Sequence, residues 1–155
     1  MKHFLPLLAL GWMAAGCASP PPRPAVAQMK LNAGIVTTKL AETKAFYTRT
    51  LGFGVSFEND FYLLLHAPGN GGEISFLLPN HPSQQALFQA PFQGQGAYLT
   101  LEVSNVDSVY QALKTHGAAI KIALRDEPWG DRHFAIQDPN GLGIDVVKYA
   151  PRPPQ

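Results

Sequence analysis

The sequence predicts an α+β fold made of two βαβββ modules, and three observations carry that reading. Two helix-like segments, residues 40–52 and 106–117, each end in a glycine. Each is preceded by one β-like run and followed by three. The whole pattern returns at an offset of about 66 residues (98 − 32 = 66 for the start of the first strand), which marks an internal duplication.

The elements follow in order. "LNAGIVTT", residues 31–38, is a short β-like run. In "LAETKAFYTRTLG", residues 40–52, Leu40, Ala41, Ala45, Phe46 and Leu51 recur at near-helical spacing, which predicts the buried stripe. Gly52 sits where a helix ends on a left-handed residue. "FGVSFEN", "FYLLLHA" and "GEISFLL" are three strand candidates, with Gly and Asn at 69–72 turning the chain before the third. A glutamine-rich connection, residues 80–96, intervenes.

The pattern then restarts with "AYLTLEVS". Asn105 is placed to cap a helix with Asp107 in its first turn and Gly117 past its end. Val106, Val109, Tyr110 and Leu113 form its apolar stripe. "AIKIALR", "RHFAIQ" and "GIDVVKY" complete the second set. Between the last two strands, Asp138, Pro139, Asn140 and Gly141 make a turn, with Asn140 and Gly141 able to take a left-handed corner.

The chain before this domain reads differently. Lys2 and His3 precede the apolar run "FLPLLALGWMAA", which is too short to span a bilayer and suits a secretory signal. It closes on "AAGC", residues 14–17, with Cys17 the one cysteine of the chain. This resembles a bacterial lipobox, with Ala14 where leucine is usual. Residues 1–16 are therefore expected to be a lipoprotein signal peptide and Cys17 the lipidated residue. Several acyl chains give stable membrane anchoring. Residues 17–28 are a proline-rich, extended tether. Residues 29–150 are the domain and 151–155 a tail. Ala18 after the cysteine favours the outer membrane facing the periplasm, by the sorting rule of that class. The formal charge of +1 gives no reason to expect nucleic acid as a partner.

The doubled βαβββ order, "AFYTRTLGF" at 45–53 and "PWGDRHFAIQDPNG" at 128–141 resemble the vicinal oxygen chelate superfamily. That group includes glyoxalase I, extradiol dioxygenases, fosfomycin-resistance enzymes and bleomycin-binding proteins. The resemblance implies an incomplete, curved mixed-sheet barrel with the helices on its convex side and the ligand or metal on its concave side. It implies little about chemistry, because one scaffold hosts many functions.

In metal-dependent members each module gives one ligand from its first strand and one from its last. Alignment puts those positions at Asn32, Ser75, Tyr98 and Asp145, with Glu73 two residues from Ser75 on the same strand face. One carboxylate, an amide, a hydroxyl and a phenol are poor ligands for a divalent transition metal. No cofactor is expected, and Glu73 and Asp145 are only weak metal candidates. No nucleophile elbow or HExxH spacing occurs.

Asp145, alone among Ile144, Val146 and Val147, is left with three readings: a structural partner, a metal ligand, or a group that reads a ligand. By strand alternation Tyr98, Thr100 and Glu102 share its face, Trp129 could close one end, and Phe88 and Phe92 the other. His133 and His66 are the strand histidines, either of which could face the groove. His81 is expected in solvent, and Arg125, Asp126, Glu127, Asp131 and Arg132 as solvated loop ends. The expected ligand positions are Asn32, Ser75, Tyr98, Trp129, His133 and Asp145, around a small hydrophobic or cationic aromatic molecule. A homodimer is expected, since an open barrel leaves an uncovered sheet edge. Three functions stay open: a metal-independent binding protein, a glyoxalase-type enzyme with a non-standard metal site, and an envelope interaction protein without a small ligand.

Overall fold

The computed structural model describes residues 30–151. The signal peptide, Cys17, the tether and the last tail residues lie outside the described residues. The first module runs β1 (Asn32–Val36), α1 (Leu40–Arg49), β2 (Gly54–Glu58), β3 (Tyr62–His66) and β4 (Glu73–Leu77). The second runs β5 (Tyr98–Glu102), α2 (Val106–Thr115), β6 (Ile120–Asp126), β7 (Arg132–Gln137) and β8 (Gly143–Lys148). Each makes a four-stranded mixed sheet, ordered β1-β4-β3-β2 and β5-β8-β7-β6. In both, the first strand pairs parallel with the last, and the other pairings are antiparallel. The sheets stay open, with β1 and β5 each ladder-paired on one side only.

The registers make the duplication concrete. Gly34 stands opposite Ser75 as Thr100 stands opposite Asp145. Asn32 therefore corresponds to Tyr98, Ser75 to Asp145, and Glu73, opposite Asn32, to Gly143. Helix ends follow their local chemistry. The Asn105 side chain accepts from the Ser108 amide at 3.0 Å, and Gly52 and Gly117 take positive φ past the two helices.

The helix-facing sides of the strands form the core. Leu63, Leu65, Ile74 and Phe76 are buried in the first sheet, and Phe134, Ile136, Ile144 and Val146 in the second. On α2 the expected stripe is the inward one: Val106 and Leu113 are buried, and Tyr110 meets Phe134 edge-on at 5.1 Å.

On α1 the inward face differs from the one its apolar spacing predicts. Thr43 and Tyr47 are the buried residues. Leu40, Phe46 and Leu51 only flank the core, and Ala41 is exposed. The reason lies in the other module. The turn 138–142 comes down on α1 and supplies buried polar partners. Asp138, 5% exposed, accepts from the Asn140 and Leu142 amides through Oδ1 and from Tyr47 Oη and Asn140 Nδ2 through Oδ2, at 2.8–3.3 Å. Asn140 Nδ2 also donates to Thr43 Oγ1 at 3.0 Å, and its Oδ1 accepts from Thr37 Oγ1 at 2.5 Å. Burial, followed by the Asp138 charge, pushes the Tyr47 hydroxyl well above the ordinary tyrosine pKa, so it stays a donor. Gly141, at φ +85°, takes the left-handed corner of the turn, which frees Asn140 to use its side chain. Among the described residues no buried side-chain nitrogen or oxygen lacks a partner.

Two further expectations change. His81 is stacked on Phe61, with ring centres 3.7 Å apart and planes 7° from parallel. Phe92 packs on the core, and its amide donates to Val36 O on the free edge of β1 at 2.9 Å, so it belongs to the domain wall.

Candidate functional site

The side of the second sheet turned away from α2 gathers the chemistry. Ile144 and Val146 are buried against the helix layer, so Gly143 and Asp145 point the other way. Tyr98 and Thr100 lie across from them on β5, and Ala135 lies across from Asp145 on β7. His133 is two residues from Ala135, on the same face.

His133 is the hub. Its Nδ1 stands 2.6 Å from Asp145 Oδ1 and its Nε2 stands 2.8 Å from Glu127 Oε1. Both partners are carboxylates, so a ring that donates from both nitrogens satisfies both contacts. Burial pulls the imidazole pKa down, but hydrogen bonds to Asp145 and Glu127 outweigh it and raise the value above normal. Glu127 in turn is held below the usual carboxylate range, chiefly by the His133 hydrogen bond. Arg125 Nε donates to the same Glu127 oxygen at 2.6 Å. The result is a hydrogen-bonded clamp, Arg125–Glu127–His133–Asp145, in which Asp145 already has a close partner.

The loop between β6 and β7 is tied to this clamp. The Glu127 amide donates to Asp131 O, and the Gly130 amide donates to Glu127 O. Asp131 accepts from Trp129 Nε1 at 2.9 Å and from the Ala150 amide at 2.8 Å. Trp129 itself is 67% exposed, and Tyr98 is 72% exposed. Aromatic surface of this kind on an open sheet face offers area for stacking.

The expected site residues fall into separate groups. Asp145 and His133 meet directly. Tyr98 stands beside them on β5, opposite Gly143. Trp129 belongs to the adjoining loop. Asn32 and Ser75 meet in the other module, where the buried Ser75 hydroxyl donates to Asn32 Oδ1 at 3.3 Å. Glu73 accepts from Ser56 Oγ at 3.0 Å, and the same hydroxyl lies 3.0 Å from His66 Nδ1. Arg132, expected as a solvated loop end, bridges Asp107 and Asp126. Among the described residues, no three His, Cys, Asp or Glu side chains converge to hold a metal ion. The four family positions fit one poorly: Ser75 is buried against an amide, and Asp145 is held by a ring that donates to it.

The residue the sequence did not reveal is Glu127. Its side chain is 10% exposed and bonded to His133, and it is no solvated loop end. The signal lay in the hairpin register, where Arg125 pairs with His133 and brings the loop over the ring.

Comparison with known proteins agrees with this architecture. The profile of the Glyoxalase/Bleomycin resistance protein/Dioxygenase superfamily matches residues 30–146. TnmS3, an antibiotic binding protein from Streptomyces sp. CB03234, superposes with a TM-score of 0.61 at 22% identity, over 81% of this chain and 98% of its own. TioX from Micromonospora sp. ML1 superposes with a TM-score of 0.63 at 19% identity, over 79% of this chain and 100% of its own. A superfamily member from Sphaerobacter thermophilus DSM 20745 gives 0.62 at 24% identity, over 79% and 98%. At these identities the likeness is one of fold. No curated protein matches the chain.

Proposed function

The chain belongs to the glyoxalase/bleomycin resistance protein/dioxygenase superfamily, and from that premise we propose that it is a metal-independent small-molecule binding protein anchored in the cell envelope through lipid on Cys17. The observation that carries the metal-independent part is the clamp. Asp145, the one carboxylate among the four family positions, is hydrogen-bonded to His133, which is itself held by Glu127. A metal ion there would have to displace the His133 ring from Asp145. What the face offers instead is the aromatic area of Tyr98 and Trp129, for a small hydrophobic or cationic aromatic ligand. That the structurally similar TnmS3 is an antibiotic binding protein supports small-molecule binding. A second copy of the chain, packed on this open face as a homodimer, would supply the wall that one sheet lacks. The outer membrane facing the periplasm suits the residue after Cys17.

The test is a titration with aromatic cations, bleomycin among them, followed by Trp129 fluorescence. Trp129 is the sole tryptophan once the segment before Cys17 is removed, since the other of the two is Trp12. Tyr98→Ala is expected to weaken binding by about 1–3 kcal/mol, the scale of a lost aromatic contact. Elemental analysis should find well under one equivalent of zinc, nickel, iron or manganese. A full equivalent that disappears in Asp145→Ala would contradict the reading.

A further inference from the structure

The duplication gives the molecule two equivalent seams where a helix of one module meets the β-turn of the other. In the first, turn 138–142 is bound to Thr37, Thr43 and Tyr47 by the Asp138 and Asn140 network. The residues at the same offset in the second module are Val103, Val109 and Leu113 (109 − 43 = 66). The turn equivalent to 138–142 is 67–72, and it faces them with Ala67, Pro68 and Gly71. Val103, Val109, Leu113, Ala67, Pro68 and Gly71 carry no side-chain hydrogen-bonding group, so the staple of the first seam is not repeated between them. A cavity of about 740 Å³ remains between them.

Its chemistry is one-sided. Leu51, Phe53, Leu101 and Val146 extend the apolar wall on which Val109 and Leu113 stand. Thr50, Thr100 and Ser108 add hydroxyls. Among the described residues, Glu102 is the one charged residue of the lining. The size lies within the range of small-molecule sites, and such sites favour the junctions between structural units. An apolar chamber with one carboxylate at its side is complementary to an apolar body carrying one positive charge.

We propose that this second seam is a binding site for a monocationic amphiphile, its apolar body between α2 and turn 67–72 and its cationic head at Glu102. Tyr98 and Trp129 are not among its lining residues, although Thr100 and Glu102 share a strand face with Tyr98. The ligand occupies the volume that Asp138, Asn140 and Tyr47 occupy in the first seam.

Calorimetric titration of the full chain with decyltrimethylammonium, decyl glucoside and decyl sulfate, each below its micelle concentration, tests this. The cation should bind saturably with one equivalent, the glucoside more weakly, and the sulfate weakest. Ala112 and Ser108 are exposed on the cavity side of α2, so Ala112→Leu and Ser108→Leu fill the chamber without disturbing the core. Each should lower affinity for the cation at least tenfold while melting near the wild-type temperature; two variants guard against one failing to fold. Glu102→Gln should weaken the cation several-fold and leave the glucoside unchanged. No binding by wild type, or wild-type affinity in both filled variants, overturns the proposal. So does loss of binding in Tyr98→Ala with retention in Ala112→Leu, which would put the amphiphile on the open face and leave the proposed function standing.

Discussion

Thr43 on α1 and Val109 on α2 hold equivalent places in the two modules, and what stands across from each is different. Opposite Thr43 is a buried amide and carboxylate in a closed hydrogen-bond network. Opposite Val109 is open volume bounded by Ala67, Pro68 and Gly71. A duplicated fold offers two copies of every junction, and only one need be sealed to hold the modules together. The other is released from that duty. The lesson concerns the Asp-Pro-Asn-Gly turn as well: this most recognisable stretch of the chain serves the joint between modules.

The largest effect expected from this contrast is at Asp138. Asp138→Ala strips the partner from a buried tyrosine hydroxyl, an amide side chain and two backbone amides. Each orphaned buried group costs about 1–3 kcal/mol, so a loss of about 3–5 kcal/mol is expected by urea unfolding, where solvent entry relieves part of the sum. A loss below about 1 kcal/mol would mean that the first seam is not a staple.

Exchanging the equivalent residues sharpens the comparison. Thr43→Val leaves Asn140 short of one partner in a dry site and should cost about 1–2 kcal/mol. Val109→Thr puts a hydroxyl where water has access and should change stability by less than about 0.5 kcal/mol. Equal costs at the two positions would show that the seams are alike.

How far the sequence disclosed this follows from the range of each interaction. Strand and helix limits were legible because their causes are local: the Asn105 cap, the glycines after each helix, and apolar alternation along β5 and β8. The inward face of α1 was not legible. Thr43 and Tyr47 are buried by partners more than 90 positions away, and no local period reports such a pairing. Asp145 and His133 were both candidates, yet their contact depends on the register of β7 against β8. Glu127 was missed because a charged residue beside proline and tryptophan resembles any loop end until the hairpin folds it over His133. The cavity was hidden behind the turn 67–72, whose alanine, proline, glycines and asparagine read as a plain hairpin connection.

The smallest effect expected is on the pH response of the clamp. His133 has a raised folded pKa, so its contribution is whole below the ordinary imidazole value and fades as pH rises through the raised one. Glu127 has a lowered pKa, so its contribution is whole above the ordinary carboxylate range and fades as pH falls through the lowered one. Between those limits the loop at 127–131 should be tightest. Trp129 emission should shift as pH rises past the upper limit, and His133→Ala should abolish that shift. Neither seam should respond over the same range, because the Asp138 network and Val109 lie outside the clamp.

Amide hydrogen exchange with and without decyltrimethylammonium compares the two seams in one experiment. The expected result is slowed exchange in α2 around Val109 to Leu113 and in turn 67–72 on adding the cation. Exchange in α1 and turn 138–142, slow at the outset, should not change. Equal protection of both seams, or protection confined to the strands and loop around Tyr98 and Trp129, would contradict the claim that one seam is sealed and the other binds.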